Sequence, residues 1–307
     1  MNENTSSTKS VLADNIEVYT SEKTYNIVSL ILFSALLLPF GMLFSFLYSY
    51  FIWYIPFPYF NFIGTIVAGF IVGFIFPTKT SKCTNSSVAL LSVIAFALIC
   101  HYVGWAVWMD LFLNQDEIIE IENARSPISA ILPSSSNLDQ IILLFTDPSL
   151  LFALITSLAE EGYFSMFSVT PSGVGLYLIW AIELILFVGA AAFAAFEKSN
   201  HPFNIERNAW LQSTTLRLNY IEDTALLYSA LRTRNRDYFE ELAVTSKEES
   251  HSEIEVWHLD TEQAYISIKN KLMKINDKGK SEFEDQELIK YATINQDTLR
   301  NLLAKST

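Results

Sequence analysis

The sequence predicts an α-helical polytopic membrane protein of four transmembrane helices followed by a small α+β cytoplasmic domain of order βαβββα. Of its 307 residues 51% are apolar and 17% charged, with a mean hydropathy of +0.28; a soluble chain carries about 25% charged residues. Four long apolar runs precede residue 197, and the composition then turns polar through residue 307. The net charge of −13 argues against a nucleic-acid partner. Two cysteines, Cys83 and Cys100, exclude a disulfide scaffold and a four-cysteine zinc site.

Residues 1–24 form a polar tail without the apolar core of a signal peptide, expected to be poorly ordered and cytoplasmic. The membrane domain is expected over 25–196. Its first span, about 27–51, has no charge and contains Pro39 and Gly41; a kink is expected near Pro39. Trp53 to Tyr59, with two prolines among amphipathic rings, reads as an interfacial turn. The second span, about 60–76, crosses with little tilt and stops at Pro77. The third and fourth occupy about 88–109 and 174–196. Lys and Arg near the span ends set orientation. Lys9, Lys23, Lys79, Lys82, Lys198, Arg207 and Arg217 lie on one side, against Arg125 on the other, so both termini are expected in the cytoplasm.

The outer connection, 110–173, carries nine acidic side chains against that one arginine, so most of the net charge is expected on one face of the membrane. Within it, 115–123 alternates acid and isoleucine as a short strand or helix start would, and 126–137 has loop composition. Asp147 followed by Pro148 starts a helix over about 148–160, too short to span and so expected at the interface. This helix ends in Glu160 and Glu161. With Gly162 to Ser165 they resemble the paired-carboxylate signature of the CAAX-processing type of intramembrane protease over two residues, with Ser165 where that signature has arginine.

Beyond residue 197, the alternation of Leu216, Leu218 and Tyr220 predicts a strand. Asp223 caps a helix whose apolar face runs from Leu227 to Leu242. Strands over 253–259, 264–275 and 282–294, with turn residues Asn276 to Gly279, and a helix over 298–305 complete the domain. Gly279, Lys280 and Ser281 end like a phosphate loop, but Lys274 stands where its first glycine belongs. His251, His258, Asp260 and Glu262 lack metal-ligand spacing, so neither a metal nor a cofactor is expected.

Polar residues inside spans carry the candidate site, since an ionisable group there costs about 3 kcal/mol on insertion scales. His101 and Glu183 fall at similar depths, about 13 and 12 Å from the outer ends of their spans, with Trp105, Trp108 and Trp180 beside them. In contact they would share a proton. Asn61 is a third intramembrane polar candidate. Gly64, Gly69 and Gly73 give the second span a small face for helix packing. Arg232, Arg234 and Arg236 form a cluster suited to lipid headgroups or a partner, or to local ion pairs such as Arg236 with Glu240.

These observations favour a non-enzymatic anchor, sensor or scaffold whose cytoplasmic domain binds a protein partner, in a chain organised like a bacterial inner-membrane protein. The alternatives are a small transporter or channel component using His101 and Glu183, which would need a homo-oligomer to enclose a path, and an intramembrane hydrolase built on Glu160 and Glu161.

Overall fold

A computed structural model describes residues 16–54, 58–114, 137–162, 170–246, 249–259, 263–276 and 280–305. The chain divides into a helical unit, 23–200, and a second unit made of residues from 201 onward together with the segment ending at Glu22. The helical unit contains α1 (Ile27–Tyr54), α2 (Pro58–Ile75), α3 (Ser86–Leu113), α4 (Asn137–Thr146), α5 (Pro148–Glu161) and α6 (Val174–Ser199). By length and composition α1, α3 and α6 are able to cross a membrane. At 18 residues α2 is about 27 Å long.

Several ends differ from expectation, for local reasons. α1 runs through Pro39 to Tyr54. α3 begins earlier because Asn85 caps it, accepting from the amides of Ser87 and Val88. It continues past Asp110 because that residue is fully buried and Asn114 Nδ2 donates to its carboxylate at 3.1 Å. In the connection, α5 starts at the Asp147 cap, but α4 precedes it, and the two apolar helices meet at 99° as a broken or re-entrant pair. The single interfacial helix expected there is therefore a bent pair. The expected elements at 115–123 and 126–136, Arg125, Tyr163 to Ser165, and the turn at 277–279 lie outside the described residues.

The bundle has an inverted amphipathic pattern, as lipid in place of water requires. On α1, Leu32, Leu36, Phe40, Leu43 and Leu47 face outward, while Gly41, Ser45 and Ser49, one turn apart, are buried. α1 pairs in parallel with α3: Ser49 Oγ donates to the Gly104 carbonyl at 2.8 Å and Trp53 meets Trp108. α2 pairs in parallel with α6. A Cβ on Gly69 would lie 2.2 Å from the Phe187 carbonyl oxygen, and one on Gly73 2.5 Å from that of Ala191. A Cβ on Gly64 would lie 3.2 Å from the ring of Phe51 of α1, so all three glycines face neighbouring helices of the bundle. Where the chain enters and leaves, Lys198 Nζ donates to the Phe74 carbonyl at 2.7 Å, a cation at the C-terminal end of α2 where the helix dipole favours it. Leu30, Val72, Phe76, Val93, Phe96, Phe187 and Ala191 fill this half.

The second unit contains β1 (Phe203–Asn204), β2 (Ala209–Trp210), β3 (Gln212–Asn219), α7 (Thr224–Thr233), α8 (Arg236–Glu241), β4 (His251–Leu259), β5 (Gln263–Ile275), β6 (Ser281–Ile294) and α9 (Gln296–Ala304). It is α+β, but the predicted order is corrected twice. A β1–β2 hairpin precedes the first long strand. The single helix is broken where Arg234 adopts a left-handed φ of 53° and Asn235 caps α8. The sheet is an antiparallel meander, β3-β4-β5-β6, and Leu216, Leu218, Ile254, Val256, Ile266 and Ile268 pack with Leu227, Leu231, Phe239, Leu299 and Leu302 of the helices.

The polar tail is corrected too. Val18 bridges to Ala292, the Tyr19 amide donates to the Tyr291 carbonyl at 2.9 Å, and that of Thr293 to the Glu17 carbonyl at 2.8 Å. Residues 17–19 thus extend the sheet beyond β6. Inside the unit, Ser252 Oγ donates to Asn270 Oδ1 at 2.6 Å, accepts from the Ile221 amide at 3.0 Å, and Asn270 Nδ2 donates to the Ile221 carbonyl at 2.7 Å. This buried circuit fixes the exit of β3 to the two central strands.

Gly69→Ala should lower stability by about 1–3 kcal/mol through overpacking. Gly189→Ala, where a Cβ meets nothing within 4 Å, should be neutral or mildly stabilising; thermal unfolding in detergent measures both. Asn270→Ala leaves two buried partners unsatisfied and should cost about 2–3 kcal/mol, read from denaturant unfolding of the full chain.

Candidate functional site

The contacts of the two parallel helix pairs set the levels of the remaining residues. Gly69 against Phe187 and Gly73 against Ala191 continue in register to place Thr65 level with Glu183. Gly41 against Cys100 and Ser49 against Gly104 place Ser45 close to the level of His101. In this half of the bundle, away from the chain's entry and exit, the four helices line a partly open cavity of about 70 Å³. All three intramembrane candidates line it: Asn61 from α2, His101 from α3 and Glu183 from α6. Trp105, Trp108 and Trp180 line it as well.

A hydrogen-bonded chain organises one wall. Thr65 Oγ1 donates to the Asn61 carbonyl at 2.8 Å, which leaves Tyr48 as the donor in its 2.5 Å bond to Thr65. Ser49 Oγ is committed to the Ser45 and Gly104 carbonyls. Two acceptors remain: Ser45 Oγ, on a residue 1% exposed, and Asn61 Oδ1 are buried with no hydrogen-bond partner. The Cys100 sulfur beside Ser45 is a weak hydrogen-bond partner at most.

On the opposite wall the Trp105 indole donates to His101 Nε2 at 3.0 Å. Because an indole N–H donates and never accepts, Nε2 is the unprotonated nitrogen and the ring is neutral with its proton on Nδ1. Trp105 and Trp180 meet edge to face with centroids 5.0 Å apart, and Trp105 meets Trp108 at 5.6 Å. The outer side of this aromatic wall is backed by the α4–α5 pair, whose Leu144, Leu151, Leu154 and Leu158 pack with Ala106, Met109 and Trp180.

The contact that a shared proton would require is not formed: no hydrogen bond or ion pair joins His101 to Glu183 among the described residues. The two face a common space, and His101 is committed to Trp105. The Glu183 carboxylate has no hydrogen-bond partner among the described residues. Ser45, Tyr48, Ser49 and Thr65 were missed by sequence reasoning. Their signal was the four-residue spacing of Gly41, Ser45 and Ser49, which marks an inward face once the outward face is known to be apolar.

The other sequence candidates lie elsewhere. Glu160 and Glu161 are exposed at the end of α5 and do not line the cavity. Arg234 binds Glu17 at 2.6 Å, Arg236 pairs with Glu240, and Arg232 forms no ion pair among the described residues. No group of three or more His, Cys, Asp or Glu side chains is gathered for a metal among the described residues.

In double-mutant cycles, Trp105→Phe with His101→Ala, a pair one turn apart on α3, should show coupling of about 0.6 kcal/mol, the average size of a side-chain hydrogen bond measured in a membrane protein. The His101→Ala and Glu183→Gln cycle should show less, measured by unfolding in mixed micelles. Compared with protein-family models, curated proteins and solved structures, the chain matches none of them.

Proposed function

We propose that this chain is a non-enzymatic membrane sensor: a four-span bundle that takes a small polar ligand in its internal cavity, linked to an α+β domain that binds a protein partner. The observation that carries this is the convergence of Asn61, His101 and Glu183 from three helices on one cavity, with acceptors on Ser45 and Asn61 left without partners. A buried polar group without a partner costs about 1–3 kcal/mol, and a ligand or bound water offsets that cost. Small, convergent polar groups in an aromatic-walled space are the usual form of a ligand site between helices.

The pairing of Val18 with Ala292 supports the four-span count and termini on one side. The segment before α1 and the domain after α6 share one sheet, which requires an even number of crossings. The positive residues near the span ends support a cytoplasmic location for that side. The packed apolar half between the cavity and the chain's entry and exit favours sensing over conduction. A transport role, in which Glu183 carries the solute, would need that packing to open.

The test uses the purified full chain in lipid nanodiscs, with tryptophan fluorescence reporting from Trp105, Trp108 and Trp180. Methylammonium, acetamide and acetate are each titrated. At least one should produce a saturable change, lost in Ser45→Leu, which fills the cavity without removing a tryptophan. No saturable response to any of the three would overturn the proposal.

A further inference from the structure

We infer that the ligand is a small primary alkylammonium ion about the size of methylammonium, held between the Glu183 carboxylate and the indole walls; this rests on reading the bundle as a ligand-binding unit. Charge comes first. Among the described residues Glu183 is the acidic side chain lining the cavity, and no Lys or Arg lines it. His101, the remaining ionisable candidate, is held neutral by accepting from Trp105. An anion would meet a carboxylate with no cation to offset it, whereas a monovalent cation neutralises the site.

The walls point the same way. Trp105, Trp108 and Trp180 supply indoles, and an indole face attracts a cation by about 0.5–2 kcal/mol, more strongly where water is excluded. An alkylammonium also offers a methyl group for which an aromatic surface is a better neighbour than oxygen.

Hydrogen bonding is compatible with that head group. The hydroxyls of Tyr48, Ser49 and Thr65 already donate to protein acceptors. Among the described residues the lining oxygens without a protein partner are Ser45 Oγ, which can donate as well as accept, Asn61 Oδ1 and those of the Glu183 carboxyl group, and an ammonium brings only donors to them. A divalent metal is a poorer fit, since Ca²⁺ takes six to eight oxygens and Mg²⁺ an octahedral shell.

The experiment is fluorescence titration of the full chain in nanodiscs with methylammonium chloride, against sodium chloride at equal ionic strength and against acetamide and acetate. Methylammonium should give a saturable change that the other three do not. Its affinity should fall at least about tenfold in Glu183→Gln and several-fold in Asn61→Ala, since charged hydrogen bonds are the stronger ones. A saturable response to acetamide or acetate without one to methylammonium would overturn the ammonium assignment and leave the cavity reading standing. No response to any probe would overturn both. Unchanged methylammonium affinity in Glu183→Gln would overturn the assignment. Should that variant fail to fold, Ser45→Ala and Asn61→Ala replace it, and unchanged affinity in both has the same force.

Discussion

The close approach of α2 to α6 is the constraint on which the membrane unit depends. At Gly69 and Gly73 backbone meets backbone, with room for no side chain between the helices. In lipid, where burying apolar surface gives no advantage over leaving it exposed, such van der Waals contact is what holds helices together. It also fixes register. Once residue 69 is set against 187 and 73 against 191, Thr65 has to come level with Glu183. The polar cavity follows from apolar packing a turn or two away. A residue with no side chain thereby helps to determine where a carboxyl group sits.

The second unit is governed by a different demand, the closure of sheet edges. An open strand edge invites pairing with other chains. On the β3 side, the Asn219 amide donates to the Ala243 carbonyl and that of Thr245 to the Arg217 carbonyl, so the segment after α8 covers that edge. On the β6 side the cover comes from residues 17–19. The buried circuit of Ser252, Asn270 and Ile221 lies between these edges and rigidifies the centre. Both covers are short and irregular, which suits chain segments that must also lead elsewhere.

The spans and the polar residues within them were legible because each is a local contrast: a charge-free run in one case, and Asn61, His101 or Glu183 against such a run in the other. The alternation of Leu216 and Leu218, and the Asp147 and Asp223 caps, were equally local. What sequence could not show depends on partners far along the chain. Nothing near Val18 announces Ala292. Ser45 and Ser49 are unremarkable in an apolar helix until the outward stripe of Leu36, Phe40, Leu43 and Leu47 is identified. The break at Arg234 did have a signal, a capping Asn235, but the apolar spacing from Leu227 to Leu242 continues across it. Equal depth left open whether His101 and Glu183 touch. Depth places two residues at one level, while the Trp105 indole determines which way the imidazole is satisfied.

The bridge that residues 17–19 make to β6 has a consequence for biosynthesis. That segment leaves the ribosome before any span, yet its partner around Ala292 follows roughly 270 residues later, which at ordinary elongation rates is on the order of 15–50 s. The membrane bundle is thus an insertion within the chain of a single sheet. Until then that first segment waits without its partner. The sheet is complete when the final strand arrives, so the second unit finishes folding only after every helix of the first has been made.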